Sequence, residues 1–127
     1  PYPAAQTRDA LPGVLSQGQS LVLHGDTQRR IPACVACHGA AMTGIAPAVP
    51  GLLGLPRDYL VSQLGAWQTG KRHANAPDCM GKIATQLTAG EISAVATWLS
   101  AQPLPAQSRA LPGRTTDWPL ECGSGAQ

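Results

Sequence analysis

The run Cys34-Val35-Ala36-Cys37-His38 constrains this chain more than any other feature of its sequence. Two thiols one helical turn apart, followed at once by an imidazole, make the pattern C-x-x-C-H. At that spacing each cysteine can add to one vinyl group of a haem while the histidine sits under the iron. The same residues admit two plainer readings, a redox dithiol and half of a zinc site. A dithiol of that kind needs βαβ surroundings, and no strand pattern is visible in the chain. A zinc site would have to recruit Cys79 and Cys122, which stand singly and far apart rather than as a second C-x-x-C knuckle. The pattern therefore points to one covalently bound haem c, with iron held by His38.

Composition agrees with that reading. The 127 residues suit one core, yet they include no Phe, three Trp and two Tyr, which leaves room for a large flat apolar group. Nine Lys and Arg against seven Asp and Glu are scattered along the chain, with no basic stripe to follow a phosphate backbone, so nucleic acid is not an expected partner. No apolar run reaches the roughly 18 residues of a membrane span. The segment before Leu11 lacks the form of a signal peptide, so the chain reads as the mature form of an exported, periplasmic protein. Four cysteines in so short a chain also suit an oxidising compartment or a cofactor.

The periodicity predicts an all-α fold with three main helices. Val14, Leu15, Gly18, Leu21 and Val22 mark a first helix over Leu11 to Leu23, ended by Gly25 and Asp26. Residues 39–54 are rich in Gly and Pro and read as a loop. A second helix starts at Pro56, carries Leu60, Leu64 and Trp67 on one face, and stops at Gly70. A polar loop from Lys71 to Asp78 follows. Thr88 and Glu91 form a capping box for a third helix, whose stripe of Ile92, Val95, Ala96 and Leu99 ends before Pro103. Residues 1–102 are thus expected to form a monohaem domain with a short N-terminal extension. Residues 103–127 form a Pro-rich tail packed back on it.

A fast electron carrier needs a second axial ligand, because six-coordinate iron reorganises little when an electron moves. The candidates are Met42, Met80, His24 and His73. Met42 lies four residues beyond His38, too near to reach across the haem plane. Met80, placed in the loop between the second and third helices, is favoured. His73 sits in the same returning loop and competes with it, so His/His ligation stays open. His24 reads as a solvated helix-end residue.

Several further motifs, in order, resemble class I cytochromes c, and among them a single domain of cytochrome c4. They are Ile31-Pro32-Ala33-Cys34 leading into Cys37-His38-Gly39, then Pro50-Gly51-Leu52-Leu53-Gly54, then Tyr59-Leu60 with Gln63-Leu64, Trp67 and Gly70-Lys71-Arg72. The resemblance implies Cys34 and Cys37 as thioether links, His38 as proximal ligand, and Met80, followed by Ile83-Ala84, as distal ligand. It matches Pro47 to the proline whose carbonyl accepts the proximal imidazole N–H, and Gly18 and Trp98 to the crossing of the first and last helices. It implies a class I cytochrome c fold wrapped around the haem, an electron carrier rather than an enzyme, and redox proteins such as a dehydrogenase, an oxidase or another cytochrome as partners. A haem subunit docked permanently on a dehydrogenase or oxidase is the alternative, followed by a haem enzyme or gas sensor with an open iron site. Cytochrome c4 has two such domains, whereas this chain has one C-x-x-C-H. Cys79 beside Met80, and a long tail with Trp118 and Cys122, also depart from that pattern. The two remaining cysteines are an even pair in an oxidising compartment, and a Cys79–Cys122 disulfide tying the tail across the haem crevice is expected. Free cysteines, or Cys122 linking two chains, are the alternatives.

Overall fold

A computed structural model describes residues 12–46, 49–105, 109–110, 119–120 and 122–123. Five helices follow in chain order: α1 (Pro12–Leu23), α2 (Val35–His38), α3 (Arg57–Thr69), α4 (Cys79–Gln86) and α5 (Ala89–Ala101). Among the described residues the extended pairing is limited to two isolated bridges, Asp26 with Ile31 and Ile45 with Val49. The expected N-terminal extension and most of the tail lie outside the described residues.

Both ends of α1 follow from its sequence. Pro12 takes the first helical position, where its missing N–H costs nothing. Gly25, at φ +71°, closes the far end, and its N–H donates to the Leu21 carbonyl. A β-carbon there would stand 2.2 Å from the Ile31 carbonyl oxygen, so the turn back toward Cys34 requires glycine. At the start of α5 the capping box forms as expected: the Glu91 N–H donates to Thr88 Oγ1 at 3.1 Å, and the Thr88 N–H to Glu91 Oε1 at 2.9 Å. Ile92, Val95, Ala96 and Leu99, the predicted stripe, are all buried.

The most extensive helix contact is the crossing of α1 and α5. Leu21 and Val22 join Leu60, Val95, Ala96 and Leu99 in one apolar cluster, and Ile31, Leu87 and Ile92 form a second. Gly18 lets the two helices touch. A β-carbon at that position would lie 2.1 Å from the Ala94 carbonyl oxygen and 2.9 Å from Trp98 Cβ, which is the small-against-aromatic crossing that the resemblance implied. The N-terminus of α3 is tied to α5 as well, since Arg57 donates to Thr97 Oγ1 at 3.0 Å and to Ser93 Oγ at 2.7 Å. Arg29 closes the opposite side. It pairs with Asp26 and Glu91 and holds both carboxyls below the usual range: Asp26 through its side-chain hydrogen bond, and Glu91 against the opposing effect of burial.

Two differences from the sequence reading concern helix boundaries. Pro56 caps α3 from outside, with ψ 149°, and the helix begins at Arg57. More consequentially, Met80 lies not in a loop but at the second position of α4. The Asp78 side chain starts this helix by accepting the Gly81 N–H at 3.0 Å. At eight residues the helix is marginal without tertiary support.

The α1–α5 contact yields a sharp expectation. Gly18→Ala should destabilise the fold by about 3 kcal/mol, the upper part of the usual range for overpacking, because its near neighbour is backbone rather than a flexible side chain. Gly13→Ala in the same helix meets nothing within 4 Å and should be neutral or stabilising by up to about 1 kcal/mol. Chemical denaturation of both variants checks the contrast, and equal midpoints would contradict the tight crossing.

Candidate haem-binding site

The segment Cys34 to His38 winds into one tight turn, in which the N–H groups of Cys37 and His38 donate to the Cys34 carbonyl at 3.2 and 3.0 Å. Cys34, Cys37 and His38 thereby border one cavity of about 430 Å³. Its other walls come from Leu60, Leu64 and Trp67 of α3, Met80 and Ile83 of α4, and Val95 and Leu99 of α5. The volume falls within the range of cofactor sites, and the lining is mainly apolar with a few convergent polar groups. The apolar face predicted for the second helix, together with Val95 and Leu99 of the third, therefore borders the same cavity as the cysteine motif.

His38 is 7% exposed, and its Nδ1 donates to the Pro50 carbonyl oxygen at 2.7 Å. Burial lowers the imidazole pKa, and the Pro50 carbonyl partly counters it. The neutral ring is the form that binds metal, and with Nδ1 so engaged Nε2 is the ring nitrogen left for it. The carbonyl expected from Pro47 is thus supplied by Pro50, three residues later. Pro47 itself lies outside the described residues. The geometry explains the shift. Ile45 and Val49 exchange two backbone hydrogen bonds, the Gly44 N–H donates to the His38 carbonyl, and the chain folds back so that Pro50 comes up against the ring. Gly44, at φ +88°, makes this possible, since a β-carbon there would lie 2.5 Å from the Val49 carbonyl oxygen.

The thiols argue against the plainer readings. Cys34 and Cys37 are not bonded to each other, and burial pushes the Cys34 thiol up to about 11 and raises Cys37 too. A reactive dithiol has the opposite shift. Cys79 and Cys122 are bonded to each other, with Cα atoms 5.5 Å apart, so they cannot complete a zinc site. No group of three or more metal-binding His, Cys, Asp or Glu side chains occurs among the described residues. An apolar cavity edged by two thiols and a neutral imidazole fits a covalently held haem.

The remaining ligand candidates separate clearly. His24 is exposed and lies away from the cavity lining. Met42, at φ +61°, packs against the main apolar cluster rather than the cavity. Met80, half-buried, and His73, exposed, both border the cavity. Sequence reasoning missed Gln68, whose Nε2 donates to the carbonyls of Ala84 and Leu87, each at 2.9 Å, and so ties α3 to α4. Nothing in the local pattern distinguishes Gln68 from any other polar residue on α3. Arg72, stacked on Trp67 at 5.3 Å, also stands at the cavity.

The Cytochrome c family profile matches residues 18–103. The thiosulfate dehydrogenase electron acceptor of Thiomonas intermedia is 38% identical over 89 residues, covering 70% of this chain and 41% of the relative. Among solved structures, a thiosulfate dehydrogenase from Marichromatium purpuratum matches with 41% identity and TM-score 0.67, over 71% of this chain and 19% of that one. Cytochrome c4 from Acidithiobacillus ferrooxidans matches with 29% identity and TM-score 0.64, over 76% and 54%. The chain spans less than half the length of the Thiomonas relative.

Met80 and His73 make different predictions. With Met80 as the distal ligand, Met80→Ala should open the reduced iron to carbon monoxide and lower the potential, because a thioether favours the reduced metal. His73→Ala should change neither. The reverse pattern would transfer the role to His73.

Proposed function

The chain belongs to the cytochrome c family, and we propose that it is a one-haem electron-transfer domain that accepts single electrons from a dehydrogenase in the periplasm. The observation that carries this reading is the convergence of Cys34, Cys37, His38 and Met80 on one apolar cavity. In the proposed assignment Cys34 and Cys37 would hold the haem through thioether links, and His38 and Met80 would bind its iron. When bound, the haem supplies the redox centre that holds the electron.

The protein's own residues set the conditions for that exchange. The Pro50 carbonyl fixes the ring plane of His38 and increases its basicity. Leu60, Leu64, Val95 and Leu99 keep water from the interior of the cavity. The curated relatives bear names of electron acceptors and cytochromes, which supports a carrier rather than an enzyme. Tyr59, a large exposed apolar residue at 46% exposure, stands with Pro50 at the cavity rim and offers a surface on which a redox partner could settle.

A dehydrogenase is the favoured partner because the relatives from Thiomonas intermedia and Stutzerimonas stutzeri bear the name thiosulfate dehydrogenase electron acceptor. The Cys79–Cys122 disulfide supports an oxidising compartment. No described helix is long and apolar enough to cross a membrane.

Mixing the oxidised holoprotein with a thiosulfate dehydrogenase and thiosulfate tests the proposal. Rapid reduction is expected, ending at one electron per chain, with none when either the enzyme or thiosulfate is omitted. Reduction by chemical reductants but not by the enzyme would remove thiosulfate dehydrogenase as the partner. An end point of two electrons per chain would contradict the single haem.

A further inference from the structure

The helix that carries Met80 has little of its own to hold it. At eight residues α4 is shorter than the roughly 12–15 needed for an isolated helix to persist, and among the other helices it packs chiefly on α3. Its two ends, however, are tied to distant parts of the chain.

At the N-terminal end Cys79, the residue before Met80, is bonded to Cys122 of the tail. The neighbouring Gly123 donates its N–H to the Pro77 carbonyl at 2.9 Å. Gly123 lies so close to the segment before the helix that a β-carbon on it would stand 2.4 Å from the Ala76 carbonyl oxygen. At the C-terminal end Gln68 Nε2 donates to both the Ala84 and Leu87 carbonyls. The Ala84 carbonyl also accepts the Leu87 N–H at 3.2 Å, and Leu87 is the residue that ends the helix; both residues are buried, so the Gln68 amide bridges the last turn and its cap where solvent has little access.

The geometry points to a two-point clamp: the Cys79–Cys122 disulfide and Gln68 are positioning groups that hold α4, and with it Met80, in place at the cavity. The inference rests on reading Met80 as the distal ligand. Cys79 and Cys122 themselves border the cavity, whereas Gln68 lies outside its lining. Each acts by limiting how far α4 can swing away, and so sets how firmly Met80 competes with an outside ligand. Cys122 and Gly123 thereby gain a task, holding the start of α4 at the cavity.

Carbon monoxide binding to the reduced holoprotein, together with the reduction potential, tests the clamp. Gln68→Met keeps the side-chain volume and removes both donors. Cys79→Ser with Cys122→Ser removes the covalent tie without leaving a reactive thiol. Each should raise the apparent carbon monoxide affinity by about ten-fold or more, the scale expected from losing two hydrogen bonds to buried acceptors or a covalent restraint. Each should also lower the potential in the direction seen for Met80→Ala. Arg57→Met, which breaks the α3 contacts to Thr97 and Ser93 and leaves α4 alone, should destabilise the fold yet keep the site closed. Met80→Ala separates the two ideas. If it stays as closed to carbon monoxide as the unaltered protein, the ligand assignment fails and the clamp fails with it. If it opens while a clamp variant stays closed, the clamp is overturned at that end and the ligand assignment stands. If Arg57→Met opens the site as far as Gln68→Met, general loosening accounts for the effect and the Gln68 role is overturned.

Discussion

The hydrogen bond from His38 Nδ1 to the Pro50 carbonyl is the contact on which the rest of the site depends. It buries an imidazole that would otherwise be free to turn and titrate, and it determines which ring nitrogen can meet a metal. To deliver that carbonyl, residues 39–50 must double back on themselves, which they do through Gly44 and the Ile45–Val49 bridge. Loop, histidine and thiols form one local unit: the motif supplies reactive groups, and the loop that follows it gives them a fixed orientation. The unit is closed locally. Its backbone hydrogen bonds run among residues 33–52.

The helices complete the site from outside. α1 and α5 meet through Gly18 with almost no space between their backbones, giving a rigid brace to which α3 is added through Arg57. α3 and α5 turn Leu60, Leu64, Trp67, Val95 and Leu99 to the cavity, so one set of apolar residues serves both as helix face and as pocket wall. α4 is different in kind. It is short, and its placement depends on groups from α3 and from the tail.

Much of this was legible in the sequence, for identifiable reasons. The C-x-x-C-H run has one dominant chemical use at its spacing, and the capping box at Thr88 and the stripe from Ile92 to Leu99 report a long amphipathic helix directly. The Cys79–Cys122 bond followed from compartment and parity, arguments that do not need coordinates. The misses have a common cause. The carbonyl under His38 comes from Pro50 through the fold of a Gly- and Pro-rich loop, and the placement of the Met80 helix and the role of Gln68 depend on contacts between separate segments. A turn that brings Pro50 rather than Pro47 to the ring, or a glutamine that reaches 16 and 19 residues ahead, leaves no periodic trace in the chain.

The central claim is that Cys34 and Cys37 bind one haem covalently and His38 holds its iron. Intact mass measurement of the purified, fully unfolded protein, followed by proteolysis, tests it most directly. The account predicts a mass of the polypeptide plus a single haem, retained under denaturation and recovered on the peptide that contains Cys34 to His38. A chain at the bare polypeptide mass from a host able to attach haem, or a haem recovered on any other peptide, would contradict it.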